Sequence, residues 1–179
     1  MAEAVVIRPA VLPDVPGLCR LAELLARQHA DYDPARYRLP KSVADAYADL
    51  LGEQLGRDDA VVLVAELSGV LVGYAFARVE PPCLVSLTGR VGWVHDLYVV
   101  AEGRGRGTGG RLLDMAIQAL GDLGVADVLI GVAAQSVTAA ALFRQRGFQP
   151  TMQEMTLHLS DGRVELAAPA SGGCIPRFS

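Results

Sequence analysis

The chain has 179 residues, 51% of them hydrophobic and 20% charged, which suits one folded domain with a sizeable core. A net charge of −4 speaks against a general nucleic-acid surface. Three widely spaced cysteines, Cys19, Cys83 and Cys174, match neither a disulfide framework nor a metal-ligand pattern and fit a reducing cytoplasm. Without a signal peptide or a long apolar run, secretion and membrane spanning are disfavoured and a cytoplasmic location is expected.

Ala4 to Arg8 reads as a first strand, ended by Pro9. Asp14 is placed to cap a helix running to about His29, with Leu18, Leu21, Ala22, Leu25 and Ala26 on one face. Asp31 to Pro40 reads as a loop. Ser42 followed by Asp45 resembles a capping box that opens a second helix to about Leu55. Ala60 to Leu67 and Val70 to Val79 are β-rich runs split by Ser68-Gly69, the spacing of a hairpin with a two-residue turn. After Glu80-Pro81-Pro82-Cys83, a strand is expected from Val91 to Val100. Helical spacing of Leu112, Leu113, Ala116, Ile117 and Leu120 marks a helix from Gly107 to Leu123. A buried strand from Val125 to Ala133 and a helix from Thr138 to Arg146 follow. Phe148 opens a further strand toward Leu159, and Asp161-Gly162 closes a hairpin with Arg163 to Leu166.

This order predicts an α/β (α+β) fold in a single three-layer domain. Its mixed, mostly antiparallel sheet holds a central parallel pair, with helices on both faces.

The most informative stretch is Arg104-Gly105-Arg106-Gly107-Thr108-Gly109-Gly110, between an apolar strand and a helix. Glycines let backbone N–H groups approach a phosphate closely. The helix N-terminus adds unpaired N–H groups and the positive end of its dipole. Arg104, Arg106 and Arg111 add charge with fork geometry. Together they suit a pyrophosphate-containing ligand. A solvated glycine turn is the plain alternative, and it leaves the strong strand before and the strong helix after unexplained. Gly105-x-Gly107-x-x-Gly110 also matches the dinucleotide fingerprint. However, four residues separate strand and first glycine, and Val132-Ala133-Ala134-Gln135 stands where a ribose-binding acid is needed. No Gly-Lys-Ser/Thr follows, which excludes a nucleotide P-loop.

Leu97-Tyr98-Val99 followed by Arg104-x-x-Gly107-x-Gly109 resembles the acyl-CoA-binding signature of the GNAT superfamily of N-acetyltransferases. Supporting matches are Val6-Ile7-Arg8-Pro9, Val64-Ala65-Glu66, Leu71-Val72-Gly73-Tyr74-Ala75, Ala139-x-x-Leu142-Phe143 and Gly147-Phe148, so the resemblance covers about residues 5 to 159. It implies an N-acetyltransferase domain over residues 1–168, followed by a loose tail over 169–179. It implies acetyl-CoA as cosubstrate, a small-molecule or peptide amine acceptor, no metal, no nucleic-acid or membrane partner, and an acyl-CoA N-acyltransferase fold whose fourth and fifth strands splay apart. Family members often form dimers.

On that resemblance, Arg104, Gly105, Arg106, Gly107, Thr108, Gly109 and Gly110 take the pyrophosphate. The pantetheine arm pairs with Leu97, Tyr98 and Val99. Ser136 stands where an Asn often binds the arm, and Phe143 where many members place a Tyr that protonates the leaving thiol. Trp93 and Gly131 replace a glutamate that some members use as base. The nearest candidates for catalytic work are His95 and Asp96, which strict alternation puts on opposite faces of the strand, Asp96 with Val94 and Tyr98. For each, a structural hydrogen-bonded role competes. Glu80, after the third strand, reaches toward the cleft mouth in one reading and is a solvated strand end in the other. Tyr32 and Tyr37, with Asp33 and Arg36, offer an aromatic and charged acceptor pocket, or else an ordinary interhelical loop. His29 reads as a helix C-terminal residue. A catalytically weak acyl-CoA-binding sensor is the alternative function that Phe143, Trp93 and Gly131 leave open.

Overall fold

Five strands form one sheet in the spatial order of the sequence, and the computed structural model describes residues 4–158 of the chain. The strands are β1 (Val6–Pro9), β2 (Ala60–Leu67), β3 (Val70–Glu80), β4 (Val91–Val99) and β5 (Val128–Ile130). β1 to β4 run antiparallel to their neighbours, and β5 joins β4 in parallel. The helices are α1 (Val15–Tyr32), α2 (Val43–Gln54), α3 (Thr108–Asp122) and α4 (Val137–Gln145). The expected three-layer fold is the one observed, except that among the described residues the parallel pair lies at the sheet edge and not at its centre.

Alternation along the strands feeds two cores. Val62, Val64, Tyr74 and Phe76 pack under Leu18, Leu21 and Leu25 of α1 and Leu51 of α2. Leu63, Ala65 and Ala75 pack under Leu112 and Ala116 of α3 on the other face. The second face continues through Ala77, Val94, Leu113, Leu120 and Phe143, which brings α4 beside α3. Strands buried on both faces read as continuous apolar runs, which is why β2 and β3 are so hydrophobic. Between them Ser68 and Gly69 both take positive φ, 52° and 78°, as a tight two-residue hairpin requires.

The expected extent of three elements needs correction. The strand expected over Val125 to Ala133 is only three residues long, because its ladder with β4 stops at the Val94–Ile130 pair. The strand expected after Phe148 is absent over 148–158, where the truncated β5 offers almost no ladder to join. Helix α1 continues past His29 to Tyr32. The hairpin around Asp161-Gly162 and the tail over 169–179 lie outside the described residues. No helix among the described residues is long and apolar enough to cross a membrane.

Asp14 does not cap α1 with its side chain. Its carboxylate accepts from the Val11 N–H at 2.9 Å and takes both arms of Arg8, at 2.7 and 2.9 Å. Arg8 also donates to Glu66 at 2.9 Å, so one guanidinium ties β1, β2 and the start of α1. The Arg8 hydrogen bonds hold the Asp14 carboxyl below its ordinary value of 3.8. Hydrogen bonds to charged groups contribute roughly 1.5–3 kcal/mol. Arg8 is 34% exposed, and solvent screening lowers the expected loss in Asp14→Asn to about 1–2 kcal/mol. That contribution is complete above the ordinary value of 3.8 and vanishes as pH falls through the lowered folded value. Denaturant titrations of wild type and Asp14→Asn at neutral pH and at successively lower pH should show a stability gap that closes on acidification. A gap independent of pH would contradict this account.

Candidate active site

The site begins where β4 and β5 part. They pair only at Gly92–Val128, Trp93–Leu129 and Val94–Ile130, while β4 runs on to Val99. On the other edge the Val100 N–H still bonds the Val72 carbonyl at 2.9 Å. Backbone groups alternate between the two edges of a strand. The Leu97 and Val99 amides therefore point toward the side that β5 has left. A cleft of about 640 Å³ opens there, walled by Leu97, Tyr98 and Val99 on one side and by Gly131, Ser136 and Phe143 on the other.

The glycine loop closes one end of the cleft. Gly105 and Gly107 both adopt φ of 71°, a left-handed conformation that disfavours a Cβ. Gly107 is the N-cap of α3, and the first intrahelical bond runs from the Arg111 N–H to its carbonyl at 3.0 Å. The amides of Thr108, Gly109 and Gly110 precede that bond and form the orphan donors of the first turn. A buried hydroxyl fixes the loop: Thr108 Oγ1 donates to the Gly103 carbonyl at 2.7 Å. Thr108 thus offers its backbone to the cleft and keeps its hydroxyl inside. Arg104 lines the cleft and donates from Nε to the Val99 carbonyl at 2.9 Å. Arg106 sits on the exposed turn, outside the cleft lining. Arg111 points away and donates to the Val5 carbonyl at 3.0 Å, so it does not add charge to the cradle.

On the far wall Ser136 is the N-cap residue of α4 and lines the cleft. Phe143 lines it too, buried beside Phe148 at 6.0 Å between ring centroids. Its ring carries no proton to donate.

A β-bulge changes the geometry at the other end. Phe76 pairs with Asp96 and Ala77 pairs with Val94, so His95 is an extra residue in β4. The bulge breaks the expected alternation. Val94 faces α3, whereas Asp96 turns toward α1 and α2 and accepts from the Tyr74 hydroxyl at 3.0 Å. His95 also lies on the α1/α2 side, stacked on Phe76 at 5.1 Å and near Trp93 at 6.2 Å. Both candidate residues thus share one face.

Their environments differ. Asp96 also bonds the Tyr47 hydroxyl, yet burial pushes its carboxyl above the ordinary value of 3.8. Asp96 does not line the cleft, and His95 does. Nε2 of His95 meets Glu80 at 2.9 Å, and Glu80 takes the Arg78 guanidinium at 2.7 and 2.9 Å. Glu80 therefore backs His95 without reaching the cleft itself. Tyr32 lines the cleft, while Tyr37 stands behind it, stacked on His29 at 4.9 Å.

Three residues of this end had no functional reading in the sequence. His29 lines the cleft from α1, and burial lowers its imidazole below the ordinary value of 6.5. At neutral pH it is uncharged, which removes the helix-end cation expected of it. Tyr47 and Tyr74 act through their hydroxyls on Asp96. Buried tyrosines generally find such partners, but only the docking of α2 on the sheet says which. Among the described residues no group of three His, Cys, Asp or Glu side chains could hold a metal ion.

Comparisons with known proteins agree with this architecture. An uncharacterized N-acetyltransferase of Bacillus subtilis (strain 168) is 29% identical over 113 residues, 63% of this chain and 74% of the relative. A mutant of the BH1408 protein from Bacillus halodurans superimposes with a TM-score of 0.76 at 20% identity, covering 87% of this chain and 99% of the other. A predicted acetyltransferase from Clostridium acetobutylicum, crystallised with acetyl-CoA, gives a TM-score of 0.66 at 19% identity, covering 87% and 96%. Residues 21–148, which hold the splayed strands, the glycine loop and the Phe143 wall, match the acetyltransferase (GNAT) family, and the chain belongs to that family of acyltransferases.

Proposed function

We propose that this chain is an N-acetyltransferase that uses acetyl-CoA to acetylate a primary amine by direct attack in a ternary complex. The observation that carries the reading is the cleft left by β5, with unpaired strand amides along one wall and the α3 N-terminus at its end.

The residues fit the cosubstrate part by part. A pyrophosphate suits the first-turn amides of Thr108, Gly109 and Gly110, the left-handed turns at Gly105 and Gly107, and the charge of Arg104 and Arg106. A pantetheine arm carries amides of its own, and the open edge at Leu97 to Val99 offers it the pairing of an added strand. Ser136 and Phe143 would bound the arm from α4. Bound there, acetyl-CoA supplies an activated acyl carbonyl and a thiolate leaving group. The amide of Leu97 or Val99, facing the side that β5 leaves, would stabilise negative charge developing on that carbonyl oxygen.

The chain must also manage a proton. A primary alkylamine has a solution pKa near ~10, so it is mostly protonated until it loses a proton. His95 lines the cleft, and when its Nε2–H donates to Glu80 its Nδ1 lone pair is left to accept that proton. Glu80, itself held by Arg78, is the positioning residue. Asp96 acts beneath the cleft by fixing Tyr47 and Tyr74. With Phe143 in place of an acid, the leaving thiolate, of pKa ~8.5, takes its proton from solvent or from the spent base.

Two experiments bear on this reading. Gly107→Val forces a β-branched side chain onto left-handed backbone at the α3 cap and should weaken acetyl-CoA binding at least about tenfold by calorimetry. A Cβ at Gly109 meets only ordinary contacts, Leu142 at 3.6 Å and Val99 at 3.8 Å, so Gly109→Ala should bind nearly as wild type. Equal affinities in both folded variants would remove the cradle from the account. His95→Gln should lower kcat on the order of a hundredfold, within the range for a positioned base, and leave the acetyl-CoA Kd unchanged. An unaltered kcat would assign the proton to water.

A further inference from the structure

We propose that the acceptor carries one weakly basic amino group on a flat apolar body, with an α-amino group beside an aromatic ring as its model, and is not a polycation. This rests on the acetyl-transfer reading of the same cleft. The end remote from the glycine loop is lined by Gln28, His29 and Tyr32 of α1 and by His95 and Tyr98 of β4. Among the described residues, no Asp or Glu lines any part of the cleft.

Two carboxylates beside this end, those of Asp96 and Glu80, are already engaged. Asp96 bonds the hydroxyls of Tyr74 and Tyr47. Glu80 takes three bonds from Arg78 and meets Nε2 of His95. A substrate with several ammonium groups would lose hydration there without gaining a counter-charge from the cleft lining. His29, held neutral by burial, brings no charge of its own at neutral pH.

An amine entering such a site must arrive deprotonated or shed its proton cheaply. An α-amino group has a pKa near ~8 and a lysine-like alkylamine near ~10.4, a difference of a few hundredfold in the reactive fraction at pH 7. The cleft therefore favours the weaker base. Its apolar preference comes from two ring stacks that reach the cleft. One ends at His29, on Tyr37 at 4.9 Å and with Tyr32 at 6.3 Å. The other ends at His95, on Phe76 at 5.1 Å. The Gln28 amide, donating to the Tyr32 hydroxyl at 3.0 Å, supplies a neutral polar neighbour.

The test is thiol release from acetyl-CoA at pH 7 by the full chain with phenylalaninamide, a tripeptide amide beginning with Phe, phenethylamine, spermidine and kanamycin. Calorimetric binding of acetyl-CoA is measured on the same sample. The expected order of kcat/KM puts phenylalaninamide or the tripeptide at least tenfold above phenethylamine and a hundredfold above either polycation. Which of the first two leads tells a free small molecule from a peptide N-terminus. Acetyl-CoA binding with spermidine or kanamycin as the best acceptor overturns this inference and leaves the acetyltransferase reading standing. Absence of acetyl-CoA binding overturns that reading and this inference with it. In Gln28→Glu, a new carboxylate at this end should narrow the gap between phenylalaninamide and phenethylamine at least fivefold. An unchanged ratio would show that the amine does not lie here.

Discussion

The parting of β4 from β5 is the constraint on which the site depends. A sheet normally satisfies its backbone amides by pairing, and here pairing stops after the Val94–Ile130 pair while β4 continues for five more residues. Leu97 and Val99 are left with donors aimed into a cleft. Packing sustains the break. Leu112 and Ala116 of α3 hold the inner half of β4 through Leu97 and Val99, and Phe143 of α4 holds the outer wall against Leu113 and Leu120. The cleft exists because two helices on one face hold the strands apart, and α3 also brings its N-terminus to the cleft's end.

The opposite face supplies side chains at the other end. One extra residue in β4 turns His95 and Asp96 to the same side. Asp96 then falls among Tyr47, Tyr74 and the α1/α2 core, where burial raises its carboxyl. His95 falls at the cleft surface, backed by Glu80 and Arg78. Two adjacent residues are thereby separated into a half-buried carboxylate and an exposed imidazole. The same face brings His29 and Tyr32 from α1 to this end of the cleft, which gives it aromatic walls and little charge.

Most of the fold was legible from the sequence because its cues are local. Ser68-Gly69 demanded a tight hairpin, and the α3 period of Leu112, Leu113, Ala116 and Leu120 required one buried stripe. The glycine loop was legible for the same reason, since positive φ and a helix N-terminus are written in adjacent residues. What was not legible depends on partners distant in sequence. The bulge at His95 follows from the register with Phe76 and Ala77, and no pattern within β4 announces it. Arg111 looked like a phosphate ligand until β1 claimed it through the Val5 carbonyl. A strand is expected from Phe148 toward Leu159, but β5 ends too early to offer it a ladder. His29 was read as a helix end because its burial depends on Tyr37 and on how α1 sits over β4.

On the proposed function, the splayed edge of β4 and the α3 N-terminus together form the acetyl-CoA site. Calorimetric titration of the full chain with acetyl-CoA, with NADH as comparison ligand, tests it most directly. Saturable binding of acetyl-CoA at one site per chain, with none of NADH, is the expected result. Folded protein that binds no CoA ligand, or that prefers NADH, would contradict it.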